Sequence, residues 1–70
     1  LDEAIRYLKE AAAILPEDAA IADHLGDAFE KAGRLKEALE QYEKALKLKP
    51  DMKGLGGKID ALRVRLGGKK

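Results

Sequence analysis

The 70-residue chain contains no cysteine, no serine and no threonine. Without cysteine it has no disulfides and no thiolate metal site, and its redox compartment stays open. Without all three, Ser, Thr and Cys nucleophiles are excluded. Its one histidine, His24, would need further ligands converging from elsewhere to hold a metal, so it is read as a surface or partly covered residue. Carboxylates are abundant, but paired acid–base chemistry needs a cleft that so small a chain cannot easily build. The sequence therefore predicts no enzyme, no cofactor and no metal site. Aromatic residues number three, prolines two, and β-branched residues are scarce. No apolar run approaches the roughly 20 residues of a membrane-spanning helix, and no signal peptide is visible.

What remains is mostly Ala, Leu, Glu and Lys, all strong helix formers. Residues 1–15 place Leu1, Ala4, Ile5, Leu8, Ala11, Ala12 and Leu15 at spacings of three and four, one apolar stripe along a helix. Pro16 ends that segment, and Asp18 is positioned to cap the next. A second helix over 19–32 buries Ile21, Ala22, Leu25, Ala28, Phe29 and Ala32. Gly26 in its middle costs about 1 kcal/mol relative to alanine, which points to a close approach by another helix backbone. Gly33 supplies a left-handed end, and only Gly33–Arg34 separate this helix from a third over 35–49. So short a link predicts an antiparallel hairpin. The third helix turns Leu35, Ala38, Leu39, Tyr42, Ala45, Leu46 and Leu48 inward, and Pro50 closes it. A fourth is expected over 51–66, capped by Asp51, with Leu55, Ile59, Leu62 and Leu66 inward and Gly54, Gly56 and Gly57 weakening its start. Gly67–Gly68 ends it, and residues 67–70 are expected to be a flexible tail.

A shift of 34 residues superimposes the chain on itself. It aligns Leu1 with Leu35, Ala4 with Ala38, Ile5 with Leu39, Leu8 with Tyr42, Ala11 with Ala45 and Pro16 with Pro50. It also aligns Ile21 with Leu55, Leu25 with Ile59 and Gly33 with Gly67. The segment 19–52 resembles the tetratricopeptide repeat family, through Leu25, Gly26, Phe29, Gly33, Ala38, Tyr42, Ala45 and Pro50. Ala22 replaces the family's early Trp. Residues 1–16 resemble the second helix of a preceding repeat. Residues 53–66 keep only the apolar stripe, with Asp60 and Arg63 where the family has Gly and an aromatic, and resemble a polar capping helix. The resemblance implies an all-α fold of about four helices, antiparallel hairpins stacked as a short α-solenoid. Because the amphipathic pattern is already running at Leu1, the chain is expected to be a piece of a longer array. About three repeats are usually needed to bury a continuous core.

The resemblance also implies a function, a scaffold for protein–protein interaction. In that family the first helix of each hairpin lines a concave groove that takes extended peptides or partner helices. Carried onto this sequence, the groove positions are Ala20, Asp23, Asp27, Glu30 and Lys31. Family members that clamp the terminal carboxylate of chaperone tails use Lys, Arg and Asn at such positions. Asp23 and Asp27 stand in place of that Lys and Asn, so a basic or neutral protein or peptide fits better. The alternative is a homodimer formed through an exposed stripe of Leu1, Ile5 and Leu8.

Charge is unevenly spread. Residues 1–52 hold 8 basic and 12 acidic side chains, whereas residues 53–70 hold six basic ones against Asp60 alone. The basic end lacks the aromatics that stack on bases, and Arg63 and Arg65 do not share one tight face, so nucleic-acid and membrane binding are disfavoured. Solubilising the end of the array or pairing with acidic helix faces is the expected role. Gly54-Leu55-Gly56-Gly57-Lys58 superficially suggests a phosphate-binding loop. Met52 and Ile59 occupy positions where that motif needs Gly and Ser or Thr, and no strand precedes it.

Overall fold

The computed structural model describes residues 2–67 as four helices: α1 (Asp2–Ile14), α2 (Ala19–Lys31), α3 (Leu35–Leu48) and α4 (Leu55–Arg65). Consecutive helices pack on one another as a short α-solenoid, α2 and α3 most extensively. The result is a slab of 36 × 27 × 14 Å.

The helix ends follow their local chemistry. Asp18 is the N-cap of α2, its carboxylate accepting from the Ile21 amide at 3.1 Å. At the other end Gly33 takes φ +78°. The Gly33 amide donates to the Glu30 carbonyl and the Arg34 amide to the Phe29 carbonyl, at 3.0 and 2.9 Å. These two bonds form a Schellman turn, which only a residue tolerant of positive φ closes without strain. The hairpin expected from the Gly33–Arg34 link is present.

The core is Ile5, Ala22, Leu25, Ala28, Phe29, Ala38, Tyr42, Ala45, Leu55, Ile59 and Leu62. All eleven are members of the apolar stripes read from the sequence. Several stripe members at helix ends are not buried: Leu15, Leu48 and Leu66 stand exposed. A stripe position is buried only where a neighbouring helix covers it, and the last turn of a helix often outruns its partner.

Two local expectations are corrected. The fourth helix begins at Leu55, not at residue 51. Gly54 adopts φ +85°, a left-handed geometry that cannot continue into a right-handed turn upstream, so Asp51 lies in the preceding turn and caps nothing. The close approach at Gly26 is made by a side chain rather than a backbone. A Cβ there would lie 2.6 Å from Cε1 and 2.7 Å from Cδ1 of Tyr42.

Candidate functional site

The other groove residues expected on α2 lie 3, 7, 10 and 11 positions after Ala20, so one face of the helix carries them all. Ala20 and Lys31 are exposed, and Asp23, Asp27 and Glu30 are half-buried. The structure brings the three acids together with two cations from α4. Lys58 Nζ donates to Asp23 Oδ1 at 2.9 Å and to Asp27 Oδ1 at 3.1 Å. Arg65 Nη1 donates to Glu30 Oε2 at 3.0 Å. Between them stands Tyr42 of α3, its hydroxyl within reach of Asp27 Oδ1 and at 2.9 Å from Glu30 Oε1. One hydroxyl carries one proton, so it donates to one carboxylate at a time. Lys58 Nζ also lies 5.1 Å from the Tyr42 ring centroid, a cation–π distance.

This network joins three helices and leaves the acidic face with a single net negative charge. It also accounts for the titration behaviour of its members. Burial of Tyr42, together with hydrogen bonds to Asp27 and Glu30, pushes the phenol well above its ordinary range, because a phenolate there would face two carboxylates. For Lys58, burial works against the charge, but the hydrogen bonds to Asp23 and Asp27 outweigh it and the ammonium is held above its ordinary value. Asp23 and Asp27 each engage these partners through Oδ1. Their Oδ2 atoms make no hydrogen bond among the described residues.

The basic segment pairs with acidic helix faces, as its sequence implied. Arg65 reaches Glu30 on α2, while Arg63 Nη2 reaches Glu43 Oε2 on α3 at 2.9 Å. Two arginines two positions apart thus serve two different helices. Sequence reasoning placed the three acids on one face but missed Lys58 and the Tyr42 hydroxyl. The available signal was the repeat itself, since Lys58 and Arg65 lie 34 positions after His24 and Lys31 on the same helical face.

The stripe expected to drive dimerisation is mostly spent on the fold. Ile5 is 4% exposed in the core and Leu8 packs against it, while Leu1 lies outside the described residues. The large apolar residues left exposed on α1 and just after it are Tyr7, Ile14 and Leu15.

Among the described residues no three His, Asp or Glu side chains gather into a group that could hold a metal ion, and no helix is long and apolar enough to cross a membrane. The face carries hydrogen-bond acceptors and cations and has no Ser, Thr or Cys.

No curated protein matches the chain. A family profile described as tetratricopeptide repeat matches residues 19–52, the span of α2, α3 and the turn after them. The matched segment is the hairpin built around Leu25, Gly26, Phe29 and Tyr42, so residues 19–52 at the centre of the chain are a tetratricopeptide repeat.

Proposed function

We propose that the chain is a protein-interaction scaffold that receives a basic or neutral peptide, or a partner helix, along the α2 face of Ala20, Asp23, Asp27, Glu30 and Lys31. The observation that carries this reading is the pair of carboxylates on that face, Asp23 held by Lys58 and Asp27 by Lys58 and Tyr42, each engaged through Oδ1. A partner's amide N–H, lysine or arginine can donate to such an acceptor without first ordering it. The scaffold then loses little conformational entropy on binding.

In this reading residues 1–16 are the second helix of a preceding repeat and 53–66 a C-terminal cap. Lys58 and Arg65 of the cap hold the acids in place. The test is binding of fluorescent 12-residue peptides, one Lys- and Arg-bearing and one its charge-reversed counterpart. The basic peptide should bind, and Asp23→Asn with Asp27→Asn should weaken it at least tenfold while circular dichroism shows the helices intact. Equal binding of the charge-reversed peptide would sink the assignment.

Self-association is the second reading, supported by the exposed apolar group Tyr7, Ile14 and Leu15 on α1 and just after it. It requires a dimer in sedimentation that Tyr7→Glu with Ile14→Glu converts to monomer.

A further inference from the structure

Lys58 stands apart from the other cations of the chain. Among the described residues it is the only one paired with two acidic residues. Its ammonium lies 2.9 Å from Asp23 Oδ1 and 3.1 Å from Asp27 Oδ1, so one cation bridges two carboxylates a helical turn apart on α2. The same two carboxylates would hold a lysine of a bound peptide in this way, through charge-assisted hydrogen bonds. The place is already taken by a lysine of the chain itself.

That lysine is not locked in. Its side chain is 37% exposed, and that of Asp27 41%. Partly exposed ion pairs hold a long side chain weakly, because water and salt screen them and the flexible stem loses entropy on pairing. The position of α4 does not depend on the contact, since Leu55, Ile59 and Leu62 anchor it in the core. Lys58 can therefore swing off the aspartates while its helix stays docked. A peptide has room to reach it. Gly57 and Ala61, which flank Lys58 on α4, are both exposed, and a Cβ at Gly57 would meet nothing within 4 Å.

Lys58 acts on a basic ligand in two opposing ways. It keeps Asp23 and Asp27 ordered, which favours binding. It also cancels one of their charges and fills the position of the ligand's own cation, which opposes binding. Aspartate has only two side-chain torsions to fix, and Tyr42 still holds Asp27 after Lys58 leaves, so the ordering is the smaller effect. Competition decides the sign.

We infer that Lys58 is a built-in competitor at the α2 face: a partner's lysine or arginine binds by displacing its ammonium from Asp23 and Asp27. This rests on the assignment of that face to basic ligands, and it names the residue that sets how tightly and how selectively they bind. A neutral segment brings no cation and leaves Lys58 where it is.

The test is fluorescence anisotropy of the same Lys- and Arg-bearing peptide with the full chain and three variants. Lys58→Met keeps an unbranched apolar side chain near the Tyr42 ring and removes the charge. It should tighten the basic peptide about tenfold, whereas a peptide with its basic residues replaced by glutamine should bind parent and variant equally. Lys58→Arg keeps the charge and should leave the affinity near the parent's. Lys47→Met removes a charge from α3 outside the network and should change it little. Nitrogen NMR of the lysine ammonium groups reads the displacement directly in the parent chain, where the Lys58 signal should move as the peptide is added. Should Lys58→Met fail to fold, as judged by circular dichroism, an unmoved Lys58 signal at saturating peptide would overturn the inference by itself. Weaker or unchanged binding to folded Lys58→Met, beside normal binding to the parent, would overturn it while leaving the assignment of the face intact. No binding of the basic peptide to either protein would remove both.

Discussion

Gly26 is the residue where two physical effects compete most directly. Glycine in mid-helix costs about 1 kcal/mol relative to alanine, so Gly26→Ala gains about that much in propensity. The added methyl would sit 2.6 Å from the Tyr42 ring, and overpacking a tight core costs roughly 1–3 kcal/mol. Relief requires the ring to move. It is fully buried, tied through its hydroxyl to Asp27 or Glu30, and faced by Lys58. The clash should therefore win, and Gly26→Ala should lower the urea midpoint. A variant as stable as the parent would show that the ring has more room than its contacts indicate.

At the scale of the element, α4 is the least self-sufficient helix. It starts without a side-chain cap and carries Gly56 and Gly57 in its first turn. It is held by Leu55, Ile59 and Leu62 in the core and by three cations reaching α2 and α3. The apolar contribution dominates: burying a leucine or isoleucine contributes about 1.5–3 kcal/mol, whereas partly exposed ion pairs contribute about 0–1 kcal/mol each. The ion pairs thus set orientation more than stability. A Cβ at Gly56 or Gly57 would meet nothing within 4 Å, and neither position has a positive φ. Gly56→Ala and Gly57→Ala should each stabilise the chain by about 0.5–1 kcal/mol, raising the melting temperature by a few degrees. An unchanged melting temperature would mean that α4 does not melt with the rest.

For the molecule as a whole, the same network gives stability an alkaline limit. Tyr42 and Lys58 both bind their protons more tightly folded than their ordinary values of 10.0 and 10.5. Above about pH 10 the unfolded chain releases protons that the folded chain retains, so unfolding becomes favoured as pH rises. Their contribution is fully present below that range and fades above it. Thermal melts from pH 8 to 11 should show a declining midpoint. Tyr42→Phe should melt lower at pH 8, losing a buried hydrogen bond, but decline less steeply. Parallel curves for the two proteins would remove Tyr42 from the alkaline response.

The sequence by itself determined the helices, the hairpin at Gly33–Arg34 and the membership of the core, because periodicity and capping act within a few residues along the chain. It also placed Asp23, Asp27 and Glu30 on one face. What those acids meet was decided only by tertiary structure. Lys58 and Arg65 lie 35 positions from Asp23 and Glu30 and come within hydrogen-bonding distance only when α4 docks. The start of α4 at Leu55 was likewise settled by the left-handed turn at Gly54, which helix propensity does not report. The alternative of an exposed stripe of Leu1, Ile5 and Leu8 missed the burial of Ile5, because burial depends on which neighbouring helix arrives, and a stripe on one helix does not specify its partner.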